Sequence, residues 1–216
     1  MKRMRKGLKT SVILLTAFVL LTVAICFVDV QTIGPKGSSV GFASLNRFFH
    51  NLTGVHLGLY NLTDWLGFVP IFVCMGFGIL GLMQWIKRKK LAKVDSSLLV
   101  LGGFYISVMA VYIFFETVVI NYRPVLIGGY LEVSYPSSTT LLVMCVMPTA
   151  MMQWGARIKS KILRRCLLLI TALFVAFMVM GRLVSGVHWL TDIIGGALIS
   201  SALVMIYISV CNIQSR

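Results

Sequence analysis

Acidic residues, and charged residues in general, are scarce in this sequence. Only six of its 216 residues are Asp or Glu, and 12% are charged while 58% are hydrophobic. A soluble domain of this length is about a quarter charged and roughly half apolar. The shortage of charge therefore excludes an ordinary soluble domain and predicts one integral membrane domain over residues 1–216.

Cysteine is also sparse and shows no pattern. The five cysteines are an odd number, and they lie scattered in or beside apolar runs: Cys26, Cys74, Cys145, Cys166 and Cys211. Their spacing matches neither a zinc site nor a paired disulfide framework. We interpret them as small packing residues.

Basic residues, in contrast, are plentiful and give a net charge of +14. Most of them form three clusters between apolar runs, within residues 2–9, 87–93 and 157–165. Such clusters carry information about membrane topology, and binding of anionic headgroups is secondary. We therefore expect a phospholipid bilayer as the environment and no nucleic-acid partner.

Six apolar runs are long enough to cross a bilayer, which takes about 20 helical residues. They cover residues 10–28, 66–86, 96–115, 137–154, 166–187 and 192–211. The first run follows a basic tail at residues 1–9 and could be a signal peptide. It is long enough to span, however, and no clear small-residue cleavage site follows. The predicted fold is an all-α bundle of six transmembrane helices.

The distribution of basic residues predicts the orientation of this bundle. With both termini in the cytoplasm, sixteen of the twenty Lys and Arg residues fall on the cytoplasmic side and four on the other, as the positive-inside rule requires. The connection at residues 29–65 is then extracytoplasmic. Its segment 42–51 has apolar residues at helical spacing and predicts an amphipathic helix in the membrane interface. His50 and His56 are either interfacial or reach over a functional site.

Residues 180–192 place three ionisable side chains between two apolar runs: Arg182, His188 and Asp192. Charges this close to hydrocarbon are costly and suggest function. His188 and Asp192 are four residues apart, which on a helix puts them on one face. A carboxylate that orients an imidazole makes histidine a nucleophile or a base. The alternative is a buried polar cluster that fixes helix packing.

Two further segments of the same face carry groups suited to phosphate. Arg123 and Arg182 offer paired donors for phosphate oxygens. Pro136-Ser137 precedes an apolar run and predicts a helix N-terminus, which favours an anion, although a plain N-cap is an alternative. Together with the His–Asp pair, these segments predict phosphate chemistry.

These segments resemble the motifs of the type-2 phosphatidic acid phosphatase family, the membrane lipid phosphate phosphatases. That family carries Lys-x6-Arg-Pro, Pro-Ser-Gly-His and Ser-Arg-x5-His-x3-Asp. The corresponding segments here are Glu116-x6-Arg123-Pro124, Pro136-Ser137-Ser138-Thr139 and Gly181-Arg182-x5-His188-x3-Asp192. The third motif is the specific one, and the resemblance covers about residues 96–203.

The resemblance implies roles for single residues. His188 would attack phosphorus and form a phosphohistidine, and Asp192 would hold its ring. The phosphoryl oxygens would bind to the remaining motif residues: Arg123, Ser137, Ser138, Thr139 and Arg182. Water would then release phosphate, and no metal or other cofactor is implied.

Three departures from the family pattern affect this expectation. The first motif is degenerate, with Glu116 in place of lysine, and Ser138 and Thr139 replace the glycine and histidine of the second. That histidine is the general acid for the leaving group. Loss of a general acid costs about 10²–10⁴ in rate, or about 3–5 kcal/mol of barrier.

Three interpretations follow. The enzyme hydrolyses a lipid whose leaving group barely needs an acid, such as polyprenyl (undecaprenyl) diphosphate. Alternatively, Glu116 donates the proton or forms a salt bridge in the site. Because Glu116 replaces a lysine, the pocket is less positive, which would suit transfer of a phospho-headgroup. The third is a non-catalytic protein that binds lipid headgroups. We favour a lipid phosphatase of the bacterial plasma membrane with its site on the extracytoplasmic face; the oligomeric state stays open.

Overall fold

The computed structural model describes residues 2–214 of the chain, and side chains from residue 5 to residue 211. Met1, Ser215 and Arg216, the last of which entered the charge count, lie outside the described residues. The described part is all-helical, with isolated β-bridges and no strand. Its helices are α1 (Lys2–Phe27), α2 (Ala43–Thr53), α3 (Leu57–Leu66), α4 (Phe68–Arg88), α5 (Ser96–Thr117), α6 (Ser138–Arg157), α7 (Lys161–Val184) and α8 (Leu190–Gln214).

The prediction of an all-α membrane protein is confirmed, and each predicted apolar run corresponds to a long helix. Five helical segments are long and apolar enough to span a membrane, with α3 and α4 counted as one continuous segment. Their outward faces carry large exposed apolar side chains such as Phe72, Ile106 and Leu169. Such surfaces suit contact with lipid rather than water.

Helix α6, the fourth predicted span, differs from the other five. It falls outside the set of apolar spanning candidates and buries polar side chains, among them Thr140, Thr149 and Gln153. It packs against α4, α5, α7 and α8, so its surroundings are mostly protein. A helix surrounded by other helices can be less apolar than one that faces lipid.

Some boundaries differ from the prediction. The segment predicted as a tail at residues 1–9 is helical from Lys2 onward and forms the first turns of α1. Helix α7 begins at Lys161 rather than residue 166, because Ser160 caps it by accepting a hydrogen bond from the Leu163 amide at 3.4 Å. A hydroxyl at this position satisfies an amide that has no partner within the helix.

The connection at residues 29–65 contains two helices where one was predicted. Helix α2 coincides with the predicted amphipathic segment, and α3 follows it. Asn46 of α2 is fully buried and bonds to both the amide and the hydroxyl of Thr191, at 3.2 and 3.0 Å. Because Thr191 lies in the first turn of α8, α2 holds the start of that helix in place.

Helices α6 and α8 approach closely at the start of both. A Cβ atom added at Gly195 would lie 2.5 Å from the Tyr135 ring, and one at Gly196 would lie 3.1 Å from Thr140. The two glycines allow the Ser137 amide to donate to the Asp192 carbonyl at 3.1 Å. The first turns of the two helices therefore meet at one end of the bundle.

Candidate active site

His188 lies in the turn between α7 and α8. Gly186 has a left-handed backbone with φ of 69° and allows the chain to reverse after α7. Asp192, in the first turn of α8, accepts a hydrogen bond from the Trp189 amide at 2.8 Å, which is half of a capping box. The expectation that a helical i,i+4 spacing joins the pair needs correction, since His188 precedes the helix.

The turn nevertheless brings the predicted pair together. His188 Nδ1 lies 3.6 Å from Asp192 Oδ2, and both side chains are buried. Ser134, which the sequence did not single out, contacts both: its Oγ donates to Asp192 Oδ2 and lies 3.2 Å from His188 Nδ1. The imidazole is thus held at Nδ1, while Nε2 faces Arg123 at 3.4 Å.

Arg123 belongs to a loop whose two arms are hydrogen-bonded to each other. Its amide donates to the Glu132 carbonyl at 3.0 Å, and the Ser134 amide donates to the Asn121 carbonyl at 3.0 Å. Tyr122 and Val133 form a bridge between these bonds. This pairing places the Arg123 guanidinium and the Ser134 hydroxyl on opposite sides of the His188 ring.

Arg182, in the last turn of α7, is 1% exposed. Its guanidinium lies 3.3 Å from Asp64 Oδ1 and 3.5 Å from Thr63 Oγ1, both in α3. The close approach of α3 depends on Gly181, because a Cβ there would lie 2.7 Å from the Thr63 methyl group. Serine stands at this position in the motif quoted above, and glycine here makes room for α3.

Each predicted phosphate-binding arginine already has a carboxylate partner. Asp64 pairs with Arg182, and Glu132 pairs with Arg123 at 3.0 Å. Tyr60 lies under both guanidinium groups, at 5.8 Å from Arg123 and 4.9 Å from Arg182. The aromatic face keeps the two cations near one another, while the carboxylates reduce the positive charge that an incoming phosphate meets.

The start of α6 contains three of the predicted phosphate-binding residues, and Ser137 already makes hydrogen bonds of its own. Ser137 is the N-cap residue: its hydroxyl accepts from the Thr140 amide, and its own amide bonds to Asp192. The Ser137 amide is therefore already occupied, whereas the hydroxyl still has its proton to donate. Ser138 and Thr139 lie in the first turn, where amides lack partners within the helix.

Glu116 lies near the end of α5 and is exposed. It lines a narrow crevice together with Ser138 and His188. Among the side chains that the structure describes, its carboxylate forms no ion pair shorter than 4 Å. Glu116 and His188 thus lie along the same crevice.

An apolar cavity of about 460 Å³ opens beside the start of α6. Asp64, Ser138 and Thr139 line its polar end. The rest of its wall is apolar and comes from α4, α5 and α6: Phe68, Ile71, Cys74, Tyr105, Val108, Met109, Tyr112, Leu141, Leu142 and Val146. A second cavity of about 420 Å³, lined mainly by α4 and α5, shares Cys74 and Tyr105 with it.

The other two histidines lie apart from the His188 ring. His50, in α2, packs its ring 5.5 Å from that of Trp189, so it supports the residue that follows His188. His56 is exposed and bonds to the Thr53 carbonyl at 2.9 Å.

The surroundings of His188 favour a neutral ring. Burial lowers the pKa of His188 well below the ordinary value of 6.5, and the Arg123 and Arg182 cations lower it further. A neutral imidazole has one nitrogen with a free electron pair, which is the form that attacks phosphorus. Within the part of the chain that the structure describes, no three His, Cys, Asp or Glu side chains group closely enough to hold a metal.

Four residues of the site were missed from the sequence: Tyr60, Asp64, Glu132 and Ser134. The small number of acidic residues was one available signal, because four of the six lie at or beside this site. Asp64 and Glu132 fall on the same predicted face as the arginines. Ser134 and Tyr60 carry no such signal, since the contacts that involve them form only in the folded chain.

Comparisons with known proteins agree with this geometry. Residues 122–215 match the sequence profile of the PAP2 superfamily. The fold is similar to the crystal structure of a transmembrane PAP2-type phosphatidylglycerolphosphate phosphatase from Bacillus subtilis, with a TM-score of 0.61, 18% sequence identity, and coverage of 95% of this chain and 96% of the other. A search of curated proteins gives no significant match. The matched segment contains the loop arginine, the start of α6 and the His–Asp turn, and over these residues the multi-pass membrane protein is similar to the PAP2 superfamily.

Proposed function

We propose that this protein is a lipid phosphatase that removes phosphate from a membrane lipid phosphate or diphosphate. His188 acts as the nucleophile and forms a phosphohistidine, without a metal. The site lies on the extracytoplasmic face of a bacterial plasma membrane. Polyprenyl diphosphate, of which undecaprenyl diphosphate is an example, is the preferred substrate.

The observation that carries the proposal is the environment of His188. Its Nδ1 is held by Ser134 and Asp192, and its Nε2 faces Arg123. An orienting group on one ring nitrogen and a cation at the other is the arrangement that nucleophilic attack on an anionic phosphoryl group requires. Arg123 and Arg182 then stabilise the charge on the phosphoryl oxygens.

The preference for a diphosphate rests on the leaving group. Thr139 lies where the family motif has its acid histidine, and a threonine hydroxyl does not protonate a departing alkoxide near neutral pH. A phosphate leaving group has a pKa of about 6, against roughly 15.7 for water, which an alkoxide resembles. A lipid diphosphate therefore loses far less from the missing acid than a lipid monophosphate does.

The apolar cavity supports a lipid substrate. It extends from Thr139 and Asp64 along α4 and α5, so a headgroup at His188 would place its hydrocarbon tail in this cavity. The shared wall residues Cys74 and Tyr105 lead to the second cavity. A long tail could follow both, and burial of each methylene contributes about 0.8 kcal/mol.

The test is release of inorganic phosphate by the purified protein in detergent or vesicles. The panel contains polyprenyl diphosphate, polyprenyl phosphate, phosphatidic acid and phosphatidylglycerolphosphate, with His188→Ala as the control. We expect turnover of the diphosphate that disappears in His188→Ala. Absence of turnover above that variant on every lipid would refute the phosphatase.

The paired arginines favour a second candidate, transfer of a phospho-headgroup from a phosphodiester through the same histidine. Asp64 and Glu132 offset the charges of Arg182 and Arg123, and Glu116 stands where the family motif has a cation. A site with this charge balance repels a doubly charged phosphate monoester more than a singly charged diester.

This candidate has its own test. A labelled phosphodiester lipid is incubated with an acceptor lipid, and the products are separated. Transfer of the headgroup without free phosphate would establish the transferase.

Under the phosphatase proposal, Asp64→Asn and Glu132→Gln should instead lower KM for the diphosphate, because each removes a negative charge beside the site.

A further inference from the structure

Ser134 lies between the two side chains that the family motif pairs directly. Its Oγ is 3.2 Å from His188 Nδ1, whereas Asp192 Oδ2 is 3.6 Å from the same nitrogen. The same Oγ donates its proton to Asp192 Oδ2. The nearest acceptor for an Nδ1 proton is therefore the serine oxygen and not the carboxylate.

The contact at the other ring nitrogen indicates which nitrogen carries the proton. Arg123 Nη1 lies 3.4 Å from His188 Nε2 with hydrogen-bond geometry. A guanidinium only donates, so Nε2 must accept with its free electron pair. In the neutral ring the proton is then on Nδ1, where Ser134 accepts it.

We infer that Ser134 is a positioning residue that fixes His188 in the Nδ1–H tautomer and links the ring to Asp192. The inference rests on the proposed function of His188 as nucleophile. In the reaction, the Nε2 electron pair forms the bond to phosphorus, and the bond to the leaving oxygen breaks with its electrons on that oxygen. The ring becomes cationic, Nδ1 keeps its proton, and Asp192 stabilises the charge through the Ser134 hydroxyl.

Both ends of this chain of hydrogen bonds are fixed by backbone. Ser134 is 2% exposed, and its amide bonds to Asn121 at 3.0 Å. Asp192 Oδ2 also accepts from the Trp189 amide at 2.8 Å. The carboxylate thus has little freedom to move toward Nδ1, and the serine hydroxyl is needed to close the gap.

The first test reads the tautomer directly and needs no substrate. The chain has three histidines, so ¹⁵N-histidine NMR gives few signals, and His50→Gln and His56→Gln assign them. We expect His188 at pH 7.5 to show a protonated Nδ1 and an unprotonated Nε2. We expect Ser134→Ala to lose this single form and to show both tautomers. A protonated Nε2 in the unmodified protein would overturn the inference, as would an unchanged spectrum in Ser134→Ala.

The second test separates positioning from packing. A wrong histidine tautomer costs about 10⁴ in kcat in a serine protease. Because Asp192 remains near His188 in Ser134→Ala, we expect a smaller loss. This variant should lower kcat about 100-fold and leave KM within twofold. Ser134→Thr keeps the hydroxyl and should stay within tenfold of the original kcat. The control is Ser200→Ala, which removes a similarly buried hydroxyl that donates to the backbone carbonyls of Leu141 in α6 and Gly196 in α8.

Each outcome of the second test is informative. If Ser134→Ala and Ser134→Thr lowered kcat equally, the side chain would matter for packing only, and the positioning role would be refuted. The role would also be refuted if Ser134→Ala and Ser200→Ala had the same kcat. If the unmodified protein hydrolysed no lipid but showed the Nδ1–H form, the proposed function would fall and the role of Ser134 in fixing the ring would stand.

Discussion

At the scale of single residues, the proposed nucleophile is well oriented, whereas the groups that would support it are incomplete. His188 has an orienting pair in Ser134 and Asp192 and a cation in Arg123. No histidine occupies the position of Thr139, and both arginines are partly neutralised by carboxylates. Substrate choice should therefore depend on the leaving group and on the charge of the phosphate.

Thr139→His tests the leaving-group argument. The imidazole restores a general acid beside the cavity, and general acids contribute about 10²–10⁴ in rate where the leaving group needs one. We expect kcat/KM to rise at least tenfold for phosphatidic acid and less than threefold for polyprenyl diphosphate, measured by phosphate release. Equal gains on the two lipids would contradict the argument.

The pKa of His188 predicts a pH dependence of stability. Burial lowers the pKa of this ring in the folded protein, so below about pH 6.5 the unfolded chain binds a proton that the folded one does not. Stability is therefore lost as pH falls, by up to about 1.4 kcal/mol per pH unit. The isosteric variant His188→Asn should lose less between pH 7.5 and 5.5 in thermal unfolding.

The comparison between these two proteins cancels the titrating groups that lie apart from residue 188, including His50, whose pKa burial also lowers. If the difference in melting temperature between His188→Asn and the unmodified protein were the same at both pH values, the ring would not be held neutral by burial.

At the scale of elements, the turn between α7 and α8 is the least replaceable part of the site. Gly186 has φ of 69°, and a Cβ there would lie 1.9 Å from the Gly54 carbonyl oxygen. Gly186→Ala should cost at least ~2 kcal/mol, since a left-handed backbone is unfavourable for alanine and the contact is with rigid backbone. Thermal unfolding and phosphate release should both decrease.

The matched control is Gly76→Ala in α4, where an added Cβ meets nothing within 4 Å. Alanine is favoured over glycine inside a helix by about 0.5–1 kcal/mol, so this variant should be as stable as the original or more so. A similar loss in both variants would mean that the turn is not specially constrained.

The cavity beside α6 gives a second prediction for the elements. Ile71 lines it, whereas Ile79, two turns later on α4, is exposed and lines neither cavity. Ile71→Trp should raise KM for long-tailed substrates about tenfold, because the larger side chain would keep about two methylenes of the tail from being buried. Ile79→Trp should leave KM unchanged, and a short-tailed substrate should not distinguish the two variants. Equal KM values for both variants would exclude the cavity as the tail site.

At the scale of the whole molecule, the distribution of basic residues predicts which side of the membrane the site faces. In a protein whose native cysteines are replaced, Tyr130→Cys in the loop that follows Arg123 should react with an impermeant maleimide added to intact cells. Lys90→Cys, between α4 and α5, should react only after permeabilisation. Both side chains are exposed, so accessibility within the fold is matched. The reverse pattern would put the site on the cytoplasmic face.

Several features of the whole molecule could be read from the sequence. The helical spans follow from apolar runs, since bilayer thickness sets their length. The pairing of His188 with Asp192 followed from their short separation, although the turn that joins them is not helical. Motif spacing singled out Arg123 and Arg182, and the structure places both guanidinium groups at the Tyr60 ring.

The sequence by itself determined the membrane class and the helix order, because these depend on local composition, and short-range spacing singled out His188. Only the tertiary structure decided what surrounds His188. Ser134, Tyr60 and Asp64 reach the site through the paired loop and through α3, which packs on Gly181. Contacts between distant segments depend on how helices approach one another, and no local pattern records that approach.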